Sequence, residues 1–279
     1  MLESRAADVS YSQPKCNMSQ TTFLDQQLAA FQEDGFLVVE NLLDHEEVNL
    51  LRAIAKTDCE LQDNVSTRAD GEGGAIDLVV RNELPFDTIY GAIVRSERVV
   101  NRVEQLLDGE VYHYHHKMIL KEPRVGGAWA WHQDYGYWYN NGCLFPLLAS
   151  CMIAVDRATK ENGCLQVLKG SHRMGRLDHG QVGDQTGTDP ERVDAALQRL
   201  ELIHCELEPG SAIFFHCNLL HRSDQNKSQH PRWAFICCYN AARNDPYQES
   251  RHPRYSRLEK WDDSRVKEVG QAQWQSMQK

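Results

Sequence analysis

From Glu110 to about residue 245 the chain is cut into short apolar or alternating runs, and that punctuation limits the possible folds more than any other feature. The runs are Val111–Ile119, Ala128–His132, Ala149–Val155, Cys164–Val167, Leu202–Leu207, Ala212–His216 and Trp233–Tyr239. Pro123, Gly126-Gly127, Asn162-Gly163, Gly170 and Pro209-Gly210 stand between them. Runs this short suit strands rather than helices, and glycine or proline at each joint ends them. Many such strands predict a β-sandwich or jelly roll. One helix is predicted inside the region, over 190–200, with Asp189 as its cap and Pro190 at its first position.

The front of the chain has a different rhythm. Phe23, Leu24, Leu28 and Phe31 recur at helical spacing and stop at Asp34-Gly35. The apolar run Phe36-Leu-Val-Val reads as a strand. Asp44 and Glu47 have the capping-box spacing and open a second helix with Val48, Leu51, Ile54 and Ala55 on its apolar face. Residues 62–76, rich in Asp, Gly and Ser, predict a loop, and a third helix is predicted over Ser96–Leu107, ending near Gly109. Residues 1–20 are polar and aperiodic, which predicts a loose tail. The expected organisation is mainly β with flanking helices: one domain over 21–245, made of a helical front (21–109) and a jelly-roll core (110–245). A polar, extended C-terminal stretch is expected over 246–279.

Charge removes several function classes. Thirty Lys+Arg against 40 Asp+Glu give a formal charge of −10, with no long basic tract. This argues against a nucleic-acid partner and against a polybasic membrane anchor. The longest mostly apolar run, Leu144–Val155, contains Pro146 and Ser150 and is too short to span a bilayer. No apolar signal segment follows Met-Leu-Glu-Ser-Arg, and the ending Ser-Met-Gln-Lys is not the peroxisomal Ser-Lys-Leu. The nine cysteines are odd in number and none has the Cys-x-x-Cys spacing. Reduced, mostly buried thiols in a cytoplasmic protein are therefore expected, and an acidic chain of this size suits a monomer or a homodimer.

Chemistry concentrates at Trp131-His132-Gln133-Asp134-Tyr135. Side chains alternate along an extended segment, so His132 and Asp134 project to one face. An imidazole and a carboxylate so placed make two-thirds of a facial triad for non-haem iron. His-x-Asp alone arises often by chance. A further histidine must complete the set, and both His216 and His221 are candidates. Arg232 heads a strand whose same face carries Ala234, Ile236 and Cys238. A buried guanidinium needs an anion, either a structural carboxylate or a ligand. Trp129, Trp131, Tyr135, Tyr137, Trp138 and Tyr139 could line a pocket for a planar or cationic group, or simply fill the sandwich core. Lys117, Lys121 and Arg124 could receive an anionic substrate group, or form a solvated face.

Taken in order, His132-Gln-Asp134, Asn162-Gly163-Cys164-Leu165, Gly170-Ser171-His172, Phe214-Phe215-His216, Leu220-His221 and Arg232 resemble the phytanoyl-CoA dioxygenase family. Its members are Fe(II)- and 2-oxoglutarate-dependent oxygenases. The resemblance runs from about Phe31 to Tyr247 and implies a double-stranded β-helix, a cupin-like jelly roll, with the metal at its open end. It implies that His132, Asp134 and His221 are the iron ligands, which makes His216 a buried strand-end residue. Arg232 then pairs with the distal carboxylate of 2-oxoglutarate, and Ser223 assists. Met118 falls at a position lining the co-substrate pocket, and Met152 where relatives often carry tryptophan. The implied reaction consumes O2 and 2-oxoglutarate, releases succinate and CO2, and hydroxylates an aliphatic C–H of a small polar or charged metabolite. The presence of Asp134 favours hydroxylation over halogenation. Substrate contacts are expected from Lys117, Lys121, Arg124, Trp131, Tyr135, Tyr137 and Trp138. The rival expectations are a cupin-like isomerase or hydrolase that does not use O2, and a non-catalytic small-molecule binder.

Overall fold

The structure, a computed structural model, describes residues 20–70, 73–182 and 185–279. The expected tail lies almost wholly outside them. In chain order the elements are α1 (Asp25–Asp34), β1 (Phe36–Val39), α2 (His45–Thr57), α3 (Cys59–Asp63), β2 (Ser66–Ala69), β3 (Ala75–Arg81), α4 (Ile89–Arg95) and α5 (Glu97–Leu107). The β region follows with β4 (Val111–Lys121), β5 (Trp129–His132), α6 (Asp134–Trp138), β6 (Leu148–Ala154), β7 (Leu165–Leu168), β8 (His179–Val182) and β9 (Gln185–Thr188). It continues through α7 (Pro190–Leu197), β10 (Leu202–Cys205), β11 (Ala212–His216), β12 (His221–Ser223) and β13 (Arg232–Ala241), and α8 (Arg265–Met277) closes the chain.

Two antiparallel sheets face each other. The larger runs β1-β11-β6-β13-β4-β3-β2 and the smaller β10-β7-β12-β5. The hairpin β8-β9 is clipped to β5 by the Gln185 side chain, which accepts from the Ala130 N–H at 2.9 Å and donates to the Ala128 carbonyl at 2.8 Å. The large sheet is covered on both sides, which is why its strands read as continuous apolar runs. In β13 the side chains of Trp233, Phe235, Cys237 and Tyr239 pack on the helical layer with Leu51, Ile54, Ile93 and Val99. Ala234, Ile236 and Cys238 enter the sandwich interior with Met152, Val167 and Phe215. The strands and front helices thus share one core on the helical side.

Where the sequence reading fails, the cause is visible. Residues 62–76 are not simply a loop, since they hold the end of α3, the edge strand β2 and the start of β3. Most of β2 is exposed, and an edge strand needs no apolar alternation. Helix α4 is buried all round and shows no helical period. The end of the chain is not extended: α8 docks on α2 and α4, with Val266 and Val269 buried. The Gln273 side chain accepts from the Ile89 N–H at 2.8 Å, and Lys267 meets Asp44 at 2.7 Å and Glu46 at 3.1 Å. The eight described cysteines are free, seven of them buried, and Cys16 lies outside the described residues. No described helix is long and apolar enough to cross a membrane.

Candidate metal centre

His132 ends β5, and its cross-strand partner is His221 on β12. The strand does not continue to Asp134 as simple alternation requires: Gln133 is the cap of α6 and Asp134 its first residue. The turn into α6, rather than strand alternation, returns the carboxylate towards the histidines. Asp134 Oδ1 lies 3.9 Å from His132 Nε2 and 4.0 Å from His221 Nε2. All three side chains are buried, and their donor atoms lie within 4.8 Å of one another. Metal–nitrogen bonds of about 2.1 Å set neighbouring donors about 3 Å apart, so the three close in by about 1 Å around an ion.

Proton placement suits that role. His132 Nδ1 is 2.8 Å from the Ala130 carbonyl and His221 Nδ1 is 2.9 Å from the Leu219 carbonyl. A carbonyl only accepts, so each Nδ1 carries the proton and each Nε2 offers a bare lone pair. Burial holds His132 well below the ordinary imidazole range, with His221 adding to the effect, and burial also lowers His221. Both rings are therefore neutral at pH 7. Ser150 donates to Asp134 Oδ2 at 3.1 Å and orients the carboxylate. Gln133 points away, as alternation implies, and pins the turn by donating to the Gly175 and Asn218 carbonyls at 2.8 and 2.7 Å. Two neutral imidazoles and one carboxylate, buried and pre-oriented, fit ferrous iron.

Beside the triad a cleft of about 50 Å³ runs between the sheets, walled by Ile119, Met152, Leu165, Phe215 and Ile236. Arg232 also lines it, and burial pushes its guanidinium down to about 10. Its Nε and Nη2 donate to the Gly163 carbonyl at 3.1 and 2.6 Å, and among the described residues no carboxylate pairs with it. Gly163 has φ +76, and a Cβ there would meet the Asp224 carbonyl oxygen at 2.2 Å, so the turn excludes side chains. Lys121, the cross-strand partner of Arg232, is buried and donates to Ser223 Oγ at 2.8 Å and to the Asp224 carbonyl. Burial and the adjacent Arg232 hold Lys121 well below the ordinary lysine range.

Several expected neighbours lie elsewhere. Met152 borders the cleft, but Met118 is on the opposite face of the sheet, in a separate cavity of about 320 Å³ with Leu61, Val79, Tyr90 and Phe235. Alternation along β4 puts it there, since Lys117 and Ile119 on either side face the cleft; nearer the start of the strand is a bulge, where opposite Cys238 and Tyr239 the pairing jumps from His115 to His113 and leaves Tyr114 extra. Tyr112 and Tyr114 therefore face inward before the bulge, whereas Lys117, Ile119 and Lys121 do so after it. His216 sits on the helical side of β11, its Nδ1 accepting from the Asn218 N–H at 3.0 Å, and burial pushes it down to about 4. Tyr135 donates to the Cys143 and Leu144 carbonyls, and Trp138 packs edge-on against Tyr114, so both belong to the core. Trp131 lies under Arg222 against the cluster of Leu168, Leu177 and Leu220. Arg124 is exposed in a left-handed turn at φ +64. Trp129, Tyr137 and Lys117 do border the triad, the two rings standing 5.7 and 5.8 Å from that of His132. A bulge in β5, where the register to β12 shifts, lets Trp129 and His132 share that face. Ser150 and the Lys121–Ser223 contact were missed. Ser150 carries no signal beyond a polar residue within an apolar strand.

Comparison with known proteins agrees with this geometry. A model of the family Phytanoyl-CoA dioxygenase (PhyH) matches residues 31–234. L-proline trans-4-hydroxylase of Streptomyces griseoviridis is 31% identical over 184 residues, covering 60% of this chain and 69% of that protein. Ectoine dioxygenase of Bordetella parapertussis is 27% identical over 248 residues, covering 82% and 79%. The crystal structure of EctD from S. alaskensis with 2-oxoglutarate and 5-hydroxyectoine shares the fold, with a TM-score of 0.71 at 22% identity over 93% of this chain and 97% of that one. The two sheets are thus a cupin-like jelly roll, and the family match extends over most of its length: the chain belongs to the phytanoyl-CoA dioxygenase family.

Proposed function

We propose that this protein is an Fe(II)- and 2-oxoglutarate-dependent dioxygenase that hydroxylates an aliphatic C–H of a small polar metabolite. The observation that carries the reading is the meeting of two imidazoles with bare Nε2 atoms and one carboxylate, beside a buried guanidinium that no carboxylate among the described residues pairs with. His132, Asp134 and His221 would hold the ion on one side. With 2-oxoglutarate, bound ferrous iron supplies O2 activation, and the overall change takes R–H, O2 and 2-oxoglutarate to R–OH, succinate and CO2.

The remaining work belongs to the chain. Arg232 offers a planar fork to the distal carboxylate of the diacid, which a point charge matches less well. Lys121 donates to Ser223 Oγ, which leaves the hydroxyl proton of Ser223 free to turn towards the same carboxylate. The apolar wall of Ile119, Met152, Leu165 and Phe215 keeps water from the reacting atoms. The free volume of about 50 Å³ is well below the roughly 300 Å³ of an ordinary ligand pocket, so side chains at its border shift as ligands enter. The relatives named above act on proline and ectoine, which supports a small polar substrate. A reducing setting such as the cytoplasm suits both ferrous iron and free thiols, and we propose a monomer or homodimer there.

The test is to incubate the purified chain with Fe(II) and 2-oxoglutarate and to measure succinate. Release that depends on O2 and on iron, and that Asp134→Ala abolishes, is expected. Turnover of a substrate without O2 consumption would instead make the protein a cupin-like isomerase or hydrolase.

A further inference from the structure

Arg232, Arg222 and Lys117 line the cleft, and among the described residues no aspartate or glutamate is in its lining. In the reading above, which this inference deepens, Arg232 serves 2-oxoglutarate. Arg222 is already satisfied, since it pairs with Asp224 at 3.1 Å and donates to Gln166 at 3.0 Å. Lys117 has no hydrogen bond or ion pair among the described residues, and its Nζ lies 6.0 Å from the centre of the Trp129 ring. A second cation comes to the same ring from the far edge of the large sheet: the Arg68 guanidinium is 5.8 Å away, likewise without an ion pair. The indole N–H of Trp129 is buried and faces the Tyr137 hydroxyl without good hydrogen-bond geometry.

Each cation gains from the face of the indole, but two like charges at one ring offset part of that gain through repulsion and partial desolvation. A bound anion relieves that repulsion, and a carboxylate fits because its two coplanar oxygens match the fork of Arg68 while leaving acceptor capacity for Lys117 and the indole N–H. We infer that the substrate carries a carboxylate, received beside Trp129 by Lys117 and Arg68. The Trp129 ring stands 5.7 Å from that of His132, so the C–H to be oxidised lies only a few bonds from this carboxylate. The opposite ends of the cleft then sort two acids by position: the diacid at Arg232, the substrate acid at Lys117.

The experiment uses the full chain loaded anaerobically with Fe(II) and 2-oxoglutarate. Calorimetry measures binding of L-proline, ectoine and other small acids of similar size, each against its primary amide, together with one phosphate monoester. Acids should bind about tenfold more tightly than their amides, the scale of one charge-assisted contact. Lys117→Met should erase most of that preference and Arg68→Met part of it. Lys117→Arg should keep it, and affinity for 2-oxoglutarate should move less than twofold in all three. The inference fails if no acid is preferred to its amide, if the preference survives both substitutions, or if the phosphate monoester binds best. Failure of the unaltered chain to bind 2-oxoglutarate would instead overturn the oxygenase reading, and this inference with it.

Discussion

His132 and His221 each direct the Nδ1 proton to a backbone carbonyl two residues back, and that local choice leaves Nε2 free to bind an ion. Residues of this kind were legible in the sequence because the types are rare and their order is fixed: His-x-Asp, then a histidine, then an arginine heading an apolar strand face. What was not legible depends on a neighbour's position. Met118 has the place in sequence that the resemblance implies and the wrong face, because it alternates with Lys117 and Ile119, which face the cleft. Lys121 looked like a substrate contact and instead stands behind Ser223. From that position, Lys121→Met should raise the KM for 2-oxoglutarate about tenfold with little change in kcat, while Lys121→Arg should do so less. Steady-state kinetics with 2-oxoglutarate varied will check this. An unchanged KM would leave Lys121 as a packing residue only.

Elements with a strong apolar period were readable, and those defined by docking were not. Helix α2 shows its capping box and apolar face, and the structure has both. Helix α8 has few apolar residues, and only its contact with α2 and α4 makes it part of the core. The same limit applies to α6, whose single turn carries Asp134. Because Val266 is fully buried against the front helices, Val266→Ala should destabilise the chain by about 1–3 kcal/mol. It should leave iron affinity unchanged, since α8 packs on the helical side of the sheet and the triad lies in the sandwich. Urea midpoints and metal titrations of the variant will show whether the two properties separate in this way.

Across the whole molecule, one sheet divides two environments: helices and a dry core on one face, the metal-ligating cleft on the other. The division places several histidines where they must stay neutral. Burial lowers His113, His115 and His116, the last to about 3. These groups take up protons in the unfolded chain near pH 6.5 but not in the folded one, so stability is present above that pH and is lost as pH falls through it. The melting temperature should therefore decline from about pH 6.5 downward, before most carboxylates titrate. A melting temperature flat to pH 5 would contradict this. The overall architecture was legible because turn residues fall at every joint of the β region, whereas the two-faced burial of the large sheet emerged only with the helices in place. The central claim is that three side chains and a guanidinium assemble one site for ferrous iron and a diacid. Its most direct test is the weak visible absorption band formed when Fe(II) and 2-oxoglutarate bind together without O2. The band should form in the unaltered chain, vanish in His132→Ala and Asp134→Ala, and need more 2-oxoglutarate in Arg232→Met; equal bands in all four proteins would contradict the account.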